Sequence, residues 1–168
     1  MTFFKIIYHF RAFVYGIVLK MIYGKHIKIG KKTTWRKGFS VLIDKNSEII
    51  IGDGCFFNNY CSIASMNRVT IGKDCLFGEN VKIYDHNHRF ADNTKRLKEQ
   101  GFSIGSICIG DNCWIGSNVT ILKGAVIGNN CVIGAGCVVN GIIEDGSILK
   151  NNNNYITQKI ITKCEDKS

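Results

Sequence analysis

Two imidazoles stand two residues apart in the segment YDHNHRF: His86 and His88, with Asp85 directly before them. Histidine is the side chain whose ordinary pKa, about 6.5, suits proton transfer near neutral pH. Such a base takes a proton from a hydroxyl or amine as that group attacks an electrophilic carbon. Asp85 could orient an imidazole, although neighbours on a strand point to opposite faces, while His86 and His88 would point the same way. The other histidines, His9 and His26, lie far away in the chain. A three-histidine zinc site would need His26 or a second copy's histidine at an unlikely spacing, so no metal is expected. The alternative for both imidazoles is plain loop surface.

What positions these residues is a repeat that they interrupt. Ile109, Ile115, Ile121, Ile127, Ile133 and Val139 fall at steps of six, and glycine follows at 110, 116, 128 and 134. Four places after each of the first five stands a small residue: Cys113, Val119, Ala125, Cys131 and Cys137. A six-residue period with an aliphatic first position is the signature of a parallel β-helix. Three hexads make one triangular coil with three short strands. Weaker hexads run through Ile51, Phe57 and Ile63, then Ile71, Phe77 and Ile83. The repeat breaks between Ile83 and Ile109, and a polar excursion from a rigid solenoid is where function usually sits. The expected plan is a helix over 1–24, a β-helix over 25–143 with its excursion at 86–105, and a tail over 144–168. The pattern dissolves after Val139.

Composition sets the context. The chain has 168 residues, 18 Gly and no Pro, and its net charge of +9 is uneven. Residues 1–50 carry ten Lys/Arg against Asp44 and Glu48. That excess could face an anionic surface or simply be solvated. No nucleic-acid-binding module accompanies it, so no nucleic-acid partner is expected. Six of the eight cysteines (55, 61, 75, 113, 131, 137) occupy the fifth place of a hexad, an inward position for small residues, and none makes CxxC. Core thiols of a reduced, cytoplasmic protein are the expected reading. The first 24 residues are strongly apolar, yet Lys5, Arg11 and Lys20 interrupt them, so neither a membrane span nor a signal peptide is expected. Such a helix must bury most of its surface: it caps the solenoid, packs in an oligomer, or lies at a membrane interface.

VKIYDHNH at 81–88, a polar loop, and IGDNCWIGSNVTILKGAVIGNNCVIGAG at 109–136 together resemble the hexapeptide-repeat acetyltransferases. The resemblance is to the maltose/galactoside acetyltransferase-like subgroup, which includes O-acetyltransferases of bacterial surface polysaccharides, and covers about residues 45–140. It implies an all-β, left-handed parallel β-helix with an N-terminal helix, assembled as a homotrimer with sites between subunits. It implies acetyl-CoA as cosubstrate and a carbohydrate acceptor. The family's catalytic base falls on His88, with His86 its rival and Asp85 beside them, and its active-site Asn falls on Asn58. Trp114 matches the aromatic of the WIGS segment, and Ser117 and Ala135 match positions along the pantetheine groove.

The chain departs from the family after Val139. Asn140-Gly141 replaces a Thr-Lys pair, and SILKNNNNYITQK lacks the family's prolines. Lys150 or Lys159 would then meet the CoA phosphates. The apolar, basic N-terminus suits an acceptor assembled at the inner face of the cytoplasmic membrane, such as a surface polysaccharide, a lipopolysaccharide or a precursor. The alternatives are N-acetylation of an amino sugar and a non-catalytic binding solenoid. A serine acetyltransferase would carry a long helical N-terminal domain absent here.

Overall fold

Along the solenoid strands inward residues alternate with outward ones, so a closed prism with three flat faces buries most of the inward set. A computed structural model describes the backbone of residues 2–151 and the side chains of residues 7–151. It is a left-handed parallel β-helix preceded by one helix, α1 (Thr2–Tyr23). The first face stacks β1 (Ile27–Ile29), β4 (Glu48–Ile51), β7 (Arg68–Ile71), β12 (Ile107–Ile109), β15 (Val126–Ile127) and β18 (Ile142–Ile143). The second stacks β2 (Thr34–Trp35), β5 (Phe56–Phe57), β8 (Leu76–Phe77), β13 (Trp114–Ile115), β16 (Val132–Ile133) and β19 (Ile148–Leu149). The third stacks β3 (Ser40–Ile43), β6 (Ser62–Ser65), β9 (Lys82–Tyr84), β14 (Thr120–Leu122) and β17 (Val138–Val139). One antiparallel hairpin, β10 (His86–His88) with β11 (Phe102–Ile104), projects from this prism.

The interior is filled in columns. Ile109, Ile115, Ile121, Ile127 and Ile133 are each at most 1% exposed, and the fifth-place residues beside them are buried too. Phe57 stacks on Phe77 with centroids 4.3 Å apart, and Phe39 and Trp35 continue the aromatic column downward. The buried thiols donate to carbonyls of the next coil: Cys55 to Gly72, Cys75 to Gly110, Cys113 to Gly128 and Cys131 to Glu144, each at 3.0–3.1 Å. Burial pushes the Cys61 thiol up to about 11. The cysteines described are therefore free core donors, except Cys108, which is exposed.

The hexad glycines are set by coil-to-coil approach. A Cβ on Gly116 would stand 2.6 Å from the Ala135 backbone nitrogen, and one on Gly72 2.7 Å from Gly110 backbone atoms. The asparagines have another cause: Asn80, Asn112, Asn118 and Asn130 turn corners with φ between 54° and 59°, a left-handed conformation that asparagine tolerates.

Every step from the first face to the second, and from the second to the third, is six residues. All length variation falls where the third face returns to the first. Val41 to Ile51, Ile63 to Ile71, Ile83 to Ile109, Ile121 to Ile127 and Val139 to Ile143 span ten, eight, twenty-six, six and four residues. The shortened last return hides the final coil from a six-step count. The solenoid does not end at Val139, because β18 and β19 pair in register with β15 and β16.

α1 closes the N-terminal end. Ala12 and Leu19, 4% and 2% exposed, enter the core, Gly16 packs on Trp35, and the Tyr23 hydroxyl donates to the Val41 carbonyl at 3.0 Å. The helix does not bury most of its surface: Phe10, Phe13, Met21 and Ile22 are each at least 66% exposed. No described helix is long and apolar enough to cross a membrane.

Candidate active site

The excursion begins at a buried carboxylate. Asp85 is 0% exposed and accepts from the Ser65 hydroxyl at 2.7 Å, from the Met66 and Asn67 backbone N–H groups at 2.7 and 2.8 Å, and contacts His86 Nδ1 at 3.2 Å. Its carbonyl accepts the Gly105 N–H at 2.9 Å, where the chain re-enters the solenoid. Asp85 thus ties the departing strand to the corner of the coil below and fixes one imidazole.

His86 and His88 lie on β10 facing β11. Phe102 meets both rings, His86 edge-on with centroids 5.5 Å apart and His88 tilted at 4.4 Å. His86 is half-buried and His88 exposed. His88 opens onto a hollow of about 430 Å³ whose walls include Arg89, Asp92, Glu99 and Gln100. The loop is braced from within: Gln100 bridges the Asp92 and Lys95 carbonyls, and Arg96 pairs with Glu99. Thr94 and Lys95 hold the Asp92 carboxyl below its ordinary range, and Arg96 does the same for Glu99. Phe102 was not singled out in the sequence; only the hairpin register reveals it.

The remaining residues occupy a different edge, between the second and third faces. Ladder hydrogen bonds place Arg36, Asn58, Gly78, Gly116, Gly134 and Lys150 in one vertical column. Ser117 and Ala135 stack in the next column, where the Ser117 carbonyl accepts the Gly136 N–H at 2.9 Å. Asn58 accepts from Arg36 Nη1 at 3.3 Å, and is half-buried at the corner rather than part of an inward ladder. Trp114 stands 57% exposed on the second face, above Leu76. Lys150 tops the corner column; Lys159 lies outside the described residues. The structure therefore gathers Asp85, His86 and His88 at one edge and Asn58, Trp114, Ser117 and Ala135 at or beside another. The width of the third face separates them. Within one described chain, no cluster of three His, Cys, Asp or Glu side chains is placed to hold a metal ion.

Known proteins place this architecture. The bacterial transferase hexapeptide family (six repeats) matches residues 109–141, and the hexapeptide repeat of succinyl-transferase matches residues 68–83. The chain is 32% identical over 144 residues to a protein of Escherichia coli K12 named as a lipopolysaccharide biosynthesis O-acetyl transferase, WbbJ, covering 82% of this chain and 71% of that one. The chain belongs to the hexapeptide-repeat acetyltransferases. Two solved members of this family share the fold. A maltose O-acetyltransferase from Clostridium difficile 630 superposes with TM-score 0.64 and 30% identity, over 77% of this chain and 67% of that one. A hexapeptide-repeat acetyltransferase from Vibrio cholerae, solved with acetyl coenzyme A, superposes with TM-score 0.63 and 30% identity, over 71% of this chain and 63% of that one. By membership this hexapeptide-repeat acetyltransferase is an acyltransferase.

Proposed function

We propose that this acetyltransferase moves the acetyl group of acetyl-CoA to a hydroxyl of a carbohydrate, as part of building a bacterial surface polysaccharide, a lipopolysaccharide or a precursor. The observation that carries it is the corner column. Asn58 and Lys150 in that column, and Ser117 and Ala135 in the column beside it, line one edge, with Trp114 on the adjoining face. A pantetheine arm laid along that edge pairs its amides with backbone groups, and Lys150 meets the phosphates at the top. His88 takes the proton from the acceptor hydroxyl as the oxygen attacks the thioester carbonyl. The tetrahedral oxyanion collapses, the C–S bond breaks, and CoA leaves as the thiol. Asn58 is a donor for that oxyanion.

The imidazoles and this edge lie apart in one chain, which supports a site assembled from two copies of a homotrimer. His86 is the second candidate base, favoured by its contact with Asp85, since an oriented imidazole is the usual form of a general base. The test is CoA release with acceptor panels for wild type, His88→Ala and His86→Ala. Loss of about 10²-fold or more in His88→Ala alone supports the reading; loss confined to His86→Ala moves the role to His86. Acceptors with a free amine and no acetylated hydroxyl would instead mark an N-acetyltransferase.

The outer face of α1 supports a peripheral contact with the inner face of the cytoplasmic membrane. Phe13, Ile17, Phe10, Met21, Val14 and Ile7 form an exposed stripe about 120° wide at 100° per residue. It lies opposite the docked face, with His9 and Lys20 along one margin and Arg11 along the other. An apolar stripe with basic flanks fits an anionic bilayer interface. Wild type should float with phosphatidylglycerol vesicles and a Phe10→Glu/Met21→Glu variant should not. Equal flotation of both would refute the contact.

A further inference from the structure

A larger cavity, of about 550 Å³, lies between α1 and the first coil, away from the same chain's His88, so a base acting on its occupant would come from a second copy. Its walls combine four aromatic rings, Tyr8, Tyr15, Trp35 and Phe39, with three cations, Arg11, Arg36 and Lys37, and none of its described lining residues is acidic. Trp35 is 5% exposed and held edge-on by Tyr15 at 6.2 Å, so this wall is rigid. The Arg36 guanidinium lies 5.9 Å from the Tyr8 ring and 5.5 Å from the Phe56 ring, and reaches Asn58.

Position gives the cavity its meaning. Arg36 stands directly below Asn58 in the corner column, and Lys150 stands at the column's far end. A donor laid along the column from Lys150 and a molecule seated in the cavity would meet at Asn58. Ring faces offer apolar contact to the C–H surfaces of a sugar. Three cations with no acid among them create a field that a neutral sugar leaves unused and an anionic group answers with charge-assisted hydrogen bonds.

We propose that this cavity is the acceptor subsite, and that its ligand is a carbohydrate bearing a carboxylate or phosphate group. The proposal rests on the acetyltransferase reading above. Arg11 and Lys37 hold the anionic group, and Arg36 links it to Asn58. The cavity sits under α1, at the end of the prism that carries the apolar stripe, where a lipid-linked glycan would enter.

The test is direct binding by calorimetry to the full chain with four probes: trigalacturonate, its carboxyl-reduced neutral counterpart, a sugar phosphate and acetyl-CoA. At least one anionic probe should bind about tenfold or more tighter than the neutral one, with affinity falling as salt rises. Arg11→Gln/Lys37→Gln should cut that affinity by about tenfold or more, while acetyl-CoA binding and the melting temperature stay unchanged. Which anionic probe responds separates carboxylate from phosphate. If acetyl-CoA binds but no anionic probe exceeds the neutral one, or the double variant binds it unchanged, the acceptor subsite is refuted and the acetyltransferase reading stands. If acetyl-CoA itself fails to bind, both fall.

Discussion

Replacing Asp85 by Asn separates a structural carboxylate from a reacting one. One Asp85 oxygen receives the Ser65 hydroxyl and the Asn67 N–H, the other the Met66 N–H and the His86 contact. An asparagine amide must turn its NH₂ toward one pair, and either way it faces a backbone N–H. The Asp85 side chain is fully buried, so the donor opposed by the amide loses its partner within the corner. An orphaned buried donor costs about 1–3 kcal/mol, and the surviving bonds lose their charge assistance. A loss of about 3 kcal/mol is expected, which lowers the melting temperature by about 6–12 °C for a chain of this size. Thermal unfolding at one fixed protein concentration reads it, since an oligomer's midpoint moves with concentration. Limited proteolysis should cut 89–101 sooner, because the corner that anchors the loop is loosened. A melting temperature unchanged within about 2 °C, with activity lost, would refute the anchoring argument and make Asp85 a reacting group.

Gly116→Ala forces a Cβ against the Ala135 backbone and should cost about 1–3 kcal/mol and weaken acetyl-CoA binding, whereas Gly141→Ala meets nothing within 4 Å and should be neutral to both. The Cys61 thiol, raised from 9.0 to about 11, contributes stability that is intact below pH 9 and lost as pH rises through about 11. That loss amounts to about 3 kcal/mol, and urea melts across this window should show a shallower decline in Cys61→Ala. In a Cys164→Ser background, native labelling should modify Cys108 quickly and the buried cysteines only on unfolding.

Much of the fold was legible because a β-helix repeats one local solution. The six-step aliphatic places and the small fifth places, six of them cysteines, had to face inward, since no other period would bury them together. The break after Ile83 and the pair His86 and His88 were visible for the same reason. The last coil was not, because the four-residue return from Val139 to Ile143 destroys the count while leaving strand pairing intact. Nor was the role of α1: a helical wheel shows that it is apolar nearly all round, and only docking on Trp35 decides which face is covered. Asp85 read as an orienter of histidine. Its three other donors come from the coil below, about 20 residues earlier, a distance that pattern alone does not bridge. The link from Arg36 to Asn58, and the cavity beneath it, likewise exist only in the stacking of the first two coils. Local sequence set which residues point in; the winding of the chain decided which of them became neighbours.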